Sequence, residues 1–428
     1  MKSDGAFWRL LKIAGKNVLR NKRRSALTLL IIVVGSASLL LVGGFFDRLL
    51  YSLKQTFIHS QSGHFQVSRS GYFEKGSITP FNYLIQDAPR IAKLIEQSIP
   101  GAYTVPRIKF GGMLSSDRDS VAVIALGVDP RTEARMSSFR NVSLQRATTN
   151  IVEGKDLDDS DPYGIVLGAG LLKSLNLKVG DHVSFITTRQ EGAVDGADFH
   201  IRGVFETVLK EVGERVVKVP LSSAQAILGL PAQVNSFLVV ADDYDDSESI
   251  NAAALTLKEA LTAEKMAFEI VPWENQSLMY KQTKHFFDNF FWILKFIISV
   301  IFIVSVANTI NMALFERMRE YGTMMAIGNS RSTIFTVIVL EAAILGLIGA
   351  TLGVLIGWAM SHIIPLTGVR MPPPPTTGVS DWYRIYFLIS PKLMLQVFAI
   401  AFFSTLFSSL IPAYRASHFR IVHALGYV

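Results

Sequence analysis

The chain has 428 residues, 50% of them hydrophobic, with a mean hydropathy of +0.33 and a formal net charge of +7. This composition is too apolar for an ordinary soluble protein and too mixed for a bundle buried wholly in lipid, so we expect a membrane part and a soluble part. The sequence has no cysteine, which excludes disulfides, thiolate metal sites and a lipid-modified N-terminal cysteine.

Four apolar runs are long enough to cross a hydrocarbon core of roughly 30 Å as helices of about 20 residues. They predict a cytoplasmic amphipathic helix (1–25), a first span (26–50), an extracytoplasmic domain (51–285), a second span (286–315), a cytoplasmic coupling helix (316–332), a third span (333–364), an extracytoplasmic proline-rich loop (365–391), a fourth span (392–413) and a cytoplasmic tail (414–428). The predicted fold class is therefore a membrane protein with four transmembrane α-helices and a large α+β extracytoplasmic domain between the first two.

Charge sets the predicted orientation. Lys and Arg crowd the first 24 residues against a single acid, Asp4, and the positive-inside rule then places both termini in the cytoplasm. The inserted domain carries more acids than bases, so the basic excess belongs to the membrane flanks and does not indicate a nucleic-acid surface. We expect the first span to be an uncleaved anchor; a signal peptide cleaved near Ser36 is the weaker alternative.

The N-terminal segment has helical periodicity. Phe7, Leu11, Ala14 and Val18 recur on one face and basic residues occupy the other. This pattern predicts an amphipathic helix lying on the inner leaflet, although a charged leader that only fixes orientation would show the same charges.

The inserted segment alternates short β-rich runs, such as Ser120–Val128 and Phe268–Pro272, with helical ones, such as Ala88–Ser98. This alternation predicts an α+β domain of two subdomains joined near residues 140–150. Two acidic patches, at 156–161 and 242–246, are interpreted as solvated turns. A calcium loop is the alternative, but neither patch has the spaced ligands and the glycine that such a loop requires.

The second span is predicted to lie within one long helix, because nothing between Ser277 and Arg319 breaks a helix. Such a helix could act as a rod between the extracytoplasmic domain and the cytoplasmic face. Charged residues follow the apolar run at once, Gly322 is expected to loosen the helix, and Gly328 with Asn329 forms a stop signal.

Small and polar residues inside the spans predict helix packing. Gly346, Gly349, Gly353 and Gly357 recur along the third span, where they let another helix approach closely. Packing within the chain is favoured over dimerisation. Glu341, Asn308 and Asn311 are intramembrane polar residues that should face protein or water, and for Glu341 we favour a hydrogen-bonded packing role over ion or proton transfer.

Four consecutive prolines within residues 371–378 predict a stiff, extended arm in the loop before the last span. This arm could contact the extracytoplasmic domain, contact a partner, or act as a spacer.

No pattern of catalytic chemistry is visible in the sequence. It has no phosphate-binding G-x-x-x-x-G-K-[ST], no H-E-x-x-H and no G-x-S-x-G, and its histidines are scattered. We therefore expect no enzyme activity, no cofactor and no metal in this chain.

The segment NTINMALFERMREYGTMMAIGNS, residues 308–330, resembles the signature of MacB/FtsX-like permeases, the membrane subunits of type VII ABC transporters, in which an apolar helix ends in E-R-x-R-E-x-G-x-x-x-A-x-G. The segments KNVLRNKRRSALTLL, IVLGAGLLKSLNLKVGDHVSF and PAYRASHFRIVHAL resemble the same family in the same order. The layout is most similar to the lipoprotein-releasing LolC/LolE branch, because no ATPase is fused before the first span and the outer domain is larger than that of FtsX.

The resemblance implies an inner-membrane permease that works with ABC ATPase subunits, which bind ATP and Mg, and with a second, identical or paired permease. It assigns ATPase coupling to Glu316, Arg317, Arg319, Glu320, Tyr321, Gly322, Met325, Ala326 and Gly328, with Tyr321 standing where the family usually has Ile. The implied function is extraction or export of a lipoprotein, lipid or other amphiphile, with a periplasmic acceptor as a further partner. The alternatives are a regulatory permease that controls an extracytoplasmic enzyme and a MacB-like peptide or drug exporter; a self-contained secondary transporter is weaker, since no inverted repeat is visible.

Overall fold

The computed structural model describes the chain except for residues 1–3, 21, 77, 117, 142–145, 148, 208–209, 242–246, 263, 265, 373–381 and 419–428. The chain forms two compact units. The first, the membrane unit, contains Met1–Leu49, Thr283–Val369 and Ile385–Val428, and the second, the outer unit, contains Leu50–Gln282 and Arg370–Arg384. The proline arm and the second acidic patch lie largely outside the described residues.

The helices, in chain order, are α1 (Asp4–Arg20), α2 (Lys22–Phe57), α3 (Tyr72–Lys75), α4 (Ala88–Ser98), α5 (Pro130–Ser137), α6 (Ala169–Ser174), α7 (Lys210–Arg215), α8 (Leu221–Leu228), α9 (Ser247–Thr262), α10 (Trp273–Gln276), α11 (Leu278–Glu316), α12 (Met318–Ala326), α13 (Arg331–Leu366) and α14 (Pro391–Ser417). A π-helical turn follows α2 at Ile58–Ser62, and a 3-10 turn lies at Pro80–Tyr83.

The strands are β1 (Phe65–Arg69), β2 (Ala102–Ser115), β3 (Ser120–Val128), β4 (Arg140–Asn141), β5 (Arg146–Ala147), β6 (Thr149–Gly154), β7 (Gly164–Gly168), β8 (His182–Thr188), β9 (Val194–Thr207), β10 (Val216–Pro220), β11 (Ser236–Ala241), β12 (Phe268–Pro272), β13 (Arg370–Met371) and β14 (Tyr383–Arg384).

Four helices are long and apolar enough to cross a membrane: α2 with the turn after it, α11, α13 and α14. Helices α13 and α14 begin with serine N-caps, since the side chains of Ser330 and Ser390 accept hydrogen bonds from the backbone N–H groups of Thr333 and Leu393. Inside the unit, α13 packs on α14 and α1. The spans extend beyond their predicted ends because a helix continues past the apolar run wherever no breaker follows.

The outer unit is built on a ten-stranded mixed sheet in the order β12-β1-β11-β2-β3-β10-β7-β9-β6, with β8 paired to β2 and β9. Most pairs are antiparallel, while β10 with β3 and β7 with β9 are parallel. Helices α4 and α9 contribute Ile91, Ile95 and Leu257 to the core beside the sheet residues Phe65 and Phe237. The predicted fold class, four membrane helices with an inserted α+β domain, is confirmed. A single sheet runs through both halves of the insert, and its division into two subdomains remains a prediction.

A buried ionic cluster fixes α5 against this sheet. Glu133 lies 2.7 Å from Arg107 on β2 and 2.6 Å from Lys218 on β10, and all three side chains are buried. Burial alone would raise the pKa of Glu133, but the charges of Arg107 and Lys218 and their hydrogen bonds lower it to about 2. Arg107 also donates to the backbone carbonyls of Ser60 and Gln61, so the same side chain holds the end of the π-helical turn.

Candidate coupling site after the second span

The predicted continuous helix from Ser277 to Arg319 is wrong at both ends. Ser277 lies outside the helix, with φ −102° and ψ 86°, and α11 ends at Glu316. Arg317, with φ −109° and ψ 10°, separates α11 from α12. The break therefore falls at Arg317 and not at Gly322, which lies inside α12. Within α11 the helix continues past Asp288 and Asn289.

The break turns Arg317 inward. Its side chain is buried, donates to the carboxylate of Glu341 at 3.3 Å, and donates to the backbone carbonyl of Asn17 at 3.1 Å. The Asn17 side chain donates to the same carboxylate. A buried guanidinium is tolerable only when it is paired in this way.

The end of α12 is a Schellman motif. The N–H of Gly328 donates to the carbonyl of Met325, and that of Asn329 donates to the carbonyl of Met324. Gly328 has φ +99°, a left-handed conformation that glycine adopts without a Cβ penalty. This motif stops α12 and directs the chain into α13.

The predicted coupling residues divide between two faces of α12. Tyr321, Gly322 and Met325 are buried, and Tyr321 and Met325 join a core cluster with residues of the membrane helices. Arg319, Ala326 and Gly328 are exposed, together with Ile327 at 78%. The exposed residues, with Glu320, are available to a partner on this surface, whereas Tyr321, Gly322 and Met325 can affect it only through packing.

The tyrosine that departs from the family pattern belongs to the inward face. Burial, with the nearby negative charge of Glu341, raises the pKa of Tyr321 to about 12. The phenol is therefore neutral at physiological pH. It fills the space beneath α12 as a mainly apolar group, as an isoleucine would.

The two coupling carboxylates are held by arginines from the start of the chain. Glu320 accepts two hydrogen bonds from Arg20, at 2.6 and 2.8 Å, and Glu316 pairs with Arg24. In the sequence these arginines indicate only the orientation of the chain, and no pattern there gives Asn17 a role. No local pattern could have found them, because Arg20 and Glu320 are 300 residues apart in sequence.

The glycines of the third span face two neighbours. A Cβ on Gly349, Gly353 or Gly357 would meet residues of α2, and one on Gly346 would meet Thr405 of α14. All four therefore lie at contacts within the chain. Among the polar pair on α11, Asn308 is exposed and Asn311 is half-buried, and the described residues supply no hydrogen-bond partner to either side chain.

No group of three His, Asp or Glu side chains that could hold a metal occurs among the described residues. In the first acidic patch, Asp161 and Asp158 pair with Arg202 at 2.7 and 3.5 Å. The outer unit has an open cleft of about 320 Å³, whose lining includes Tyr163, Phe199, Ser223 and Ile227.

Comparisons with known proteins match two family models to two successive parts of the chain. The MacB-like periplasmic core domain matches residues 25–257, and the FtsX-like permease C-terminal domain matches residues 292–421. An uncharacterized ABC transporter permease of Methanocaldococcus jannaschii is 21% identical over 64% of this chain and 65% of its own length. The match thus spans slightly less than two thirds of that relative.

Two further likenesses are to one more sequence relative and to one solved structure. The lipoprotein-releasing system transmembrane protein LolE of Haemophilus influenzae is 25% identical over 75% of this chain and 76% of its own length. The crystal structure of the periplasmic region of MacB from Actinobacillus actinomycetemcomitans covers 53% of this chain and 95% of that chain, at 15% identity and a TM-score of 0.36. Because the periplasmic core match alone extends over more than half of the residues, the chain belongs to the family of permeases that join a MacB-like periplasmic core domain to an FtsX-like C-terminal domain.

Proposed function

We propose that this chain is the permease subunit of an ABC transporter, that a separate ATPase binds and hydrolyses ATP with Mg, and that α12 receives this ATPase. The observation that carries the proposal is the outward face of α12. This short helix lies between two spans, and its face presents Arg319 and Thr323 next to the exposed apolar side chain of Ile327. Arginine is one of the residues enriched at interface hot spots.

The movement would pass along two helices. Both α2 and α11 run from the membrane unit into the outer unit without interruption, and α11 alone has 39 residues, about 58 Å at 1.5 Å per residue. A displacement of the α12 end of α11 would therefore be transmitted to the outer unit by the helix backbone. We place the protein in the inner membrane with both termini cytoplasmic.

A second permease, identical or paired, would cover α11. Only 11% of its most apolar stretch is buried, the smallest share of the four spans. Its exposed Asn308 would gain a hydrogen-bond partner from a neighbouring helix, which favours helix association in lipid.

The proposed cargo is a lipoprotein, lipid or other amphiphile taken from the outer leaflet to a periplasmic acceptor. The likeness to LolE supports this class, and the cleft beside Tyr163, which has both aromatic and hydroxyl groups, is a suitable place to look for bound cargo. Transfer from vesicles containing the purified complex would support transport. A copurified hydrolase whose activity changes, with no transfer, would instead support the regulatory alternative.

The docking surface is tested by Arg319→Ala in the complex of full-length permease and ATPase. Truncating an interface arginine at a hot spot costs about 2 kcal/mol, so the apparent affinity of the ATPase should fall about thirtyfold. Arg118→Ala, at an exposed arginine of the outer unit, is the matched control and should leave the affinity unchanged. An unaltered affinity in the Arg319 variant would remove α12 as the docking surface.

A further inference from the structure

We infer that the N-terminal helix belongs to the coupling machinery, because Asn17, Arg20 and Arg24 form a clamp that joins α1 and α2 to the break between α11 and α12. Resting on the proposed function, this inference adds positioning residues to it. The clamp makes three ties: Asn17 to Arg317 and Glu341, Arg20 to Glu320, and Arg24 to Glu316.

The ties connect the elements at the start of the chain to those on each side of Arg317, which separates α11 from α12. Arg24 of α2 pairs with Glu316 of α11, so one span is tied to another. Arg20 of α1 pairs with Glu320 of α12, so the N-terminal helix is tied to the docking helix. A force on α12 therefore acts on α1 and on both spans.

Burial makes the central tie the strongest. The side chains of Arg317 and Glu341 are 5% and 16% exposed, and Asn17 binds both of them. On α1, Ala14 is fully buried, and the helix packs against α13, the helix that carries Glu341. This packing fixes α1 to the bundle at a defined position, so α1 cannot be only a peripheral helix lying on lipid.

The outer tie between Arg20 and Glu320 is exposed and is therefore adjustable. The Arg20 and Glu320 side chains are 55% and 53% exposed, and exposed ion pairs contribute little to stability. Their geometry is nevertheless specific, because one guanidinium nitrogen contacts both carboxylate oxygens of Glu320. An ion pair that is weak but specific in geometry can keep α1 and α12 aligned and still allow them to move.

Charge reversal separates this role from direct ATPase binding. In full-length permease reconstituted with its ATPase, Arg20→Glu and Glu320→Arg should each reduce the maximal permease-stimulated ATP turnover about three- to tenfold. The double variant, which restores the pair with opposite polarity, should return to within about twofold of wild type. Lys12→Glu, at an exposed α1 residue with no acidic partner among the described residues, is the matched control and should leave turnover unchanged.

Two readouts exclude a purely structural effect. Arg20→Glu should lower maximal turnover with the apparent ATPase affinity and the melting temperature nearly unchanged, whereas Arg319→Ala should lower the affinity. If the double variant is no better than the worse single variant, Glu320 acts on the ATPase directly and the clamp is refuted. If wild-type permease fails to stimulate the ATPase at all, the proposed function fails instead.

Discussion

Gly353→Ala tests how closely the third span packs against the first. A Cβ at this position would lie 1.8 Å from the hydroxyl oxygen of Ser36, 2.9 Å from the carbonyl oxygen of Val33 and 3.0 Å from the Ser36 Cβ. Rotating the serine would remove only the first overlap. The Val33 carbonyl belongs to the backbone of α2, so the two helices must move apart.

The cost follows from overpacking, which typically destabilises a protein by about 1–3 kcal/mol. We expect the upper end, about 3 kcal/mol, because backbone is involved. The higher helix propensity of alanine offsets about 1 kcal/mol of this cost, so the free energy of unfolding should fall by about 2 kcal/mol. At Gly346 the nearest atom is the Thr405 Cβ at 3.1 Å, so Gly346→Ala should be close to neutral and serves as the control.

The measurement is thermal unfolding of the purified full-length permease in nanodiscs, compared among wild type, Gly353→Ala and Gly346→Ala. Combining Gly353→Ala with Ser36→Ala should recover part of the loss, because the closest overlap is removed and the Val33 contact remains. Equal melting temperatures for the two glycine variants would show that α13 and α2 are not packed at this distance.

Two further predictions concern the outer unit and the end of α12. Glu133 has a pKa of about 2 in the folded chain against an ordinary value of 4.5, so it contributes about 3 kcal/mol that is present above pH 4.5 and lost as the pH falls toward 2. Glu133→Gln should accelerate amide hydrogen exchange in β2 and β10 at pH 7, and the difference in exchange rate from wild type should shrink toward pH 2. A difference in exchange rate that does not change with pH would contradict the buried pairing. Gly328→Ala should destabilise the membrane unit by about 1 kcal/mol, because the backbone at this position has φ +99°. Gly328→Asn should retain most of the stability, since asparagine tolerates this conformation. Equal melting temperatures for these two variants would argue against the Schellman motif.

Local patterns in the sequence predicted much of the fold. The helix Ala88–Ser98 and the strands Ser120–Val128 and Phe268–Pro272 have the bounds that their periodicity indicates. They succeed because hydrophobic periods of 3.6 and 2.0 residues record which face each element buries. The predicted helix through Arg319 instead ends at Glu316, and Arg317 at the break pairs with Glu341 on another helix, which no local pattern records.

The candidate site was predicted only in its position along the chain. The segment after the second span was identified, yet its inward face at Tyr321 and Met325 and its outward face at Arg319 could not be separated from the sequence. Which residues face outward depends on the rotation of α12 about its axis, and packing against the membrane helices sets that rotation. The buried cluster around Glu133 was missed because its members come from three elements, α5, β2 and β10, which only the folded chain brings together.

The sequence by itself determined how many helices could span a membrane, where the large domain is inserted and which segment connects the second and third spans. These follow from sums over neighbouring residues, such as apolar length and charge bias. Only the tertiary structure decided that Arg20, Arg24 and Asn17 meet Glu320, Glu316 and Glu341. An ion pair between residues 300 positions apart requires two helix ends to meet at a fixed distance and rotation, which only the packing of the folded helices specifies.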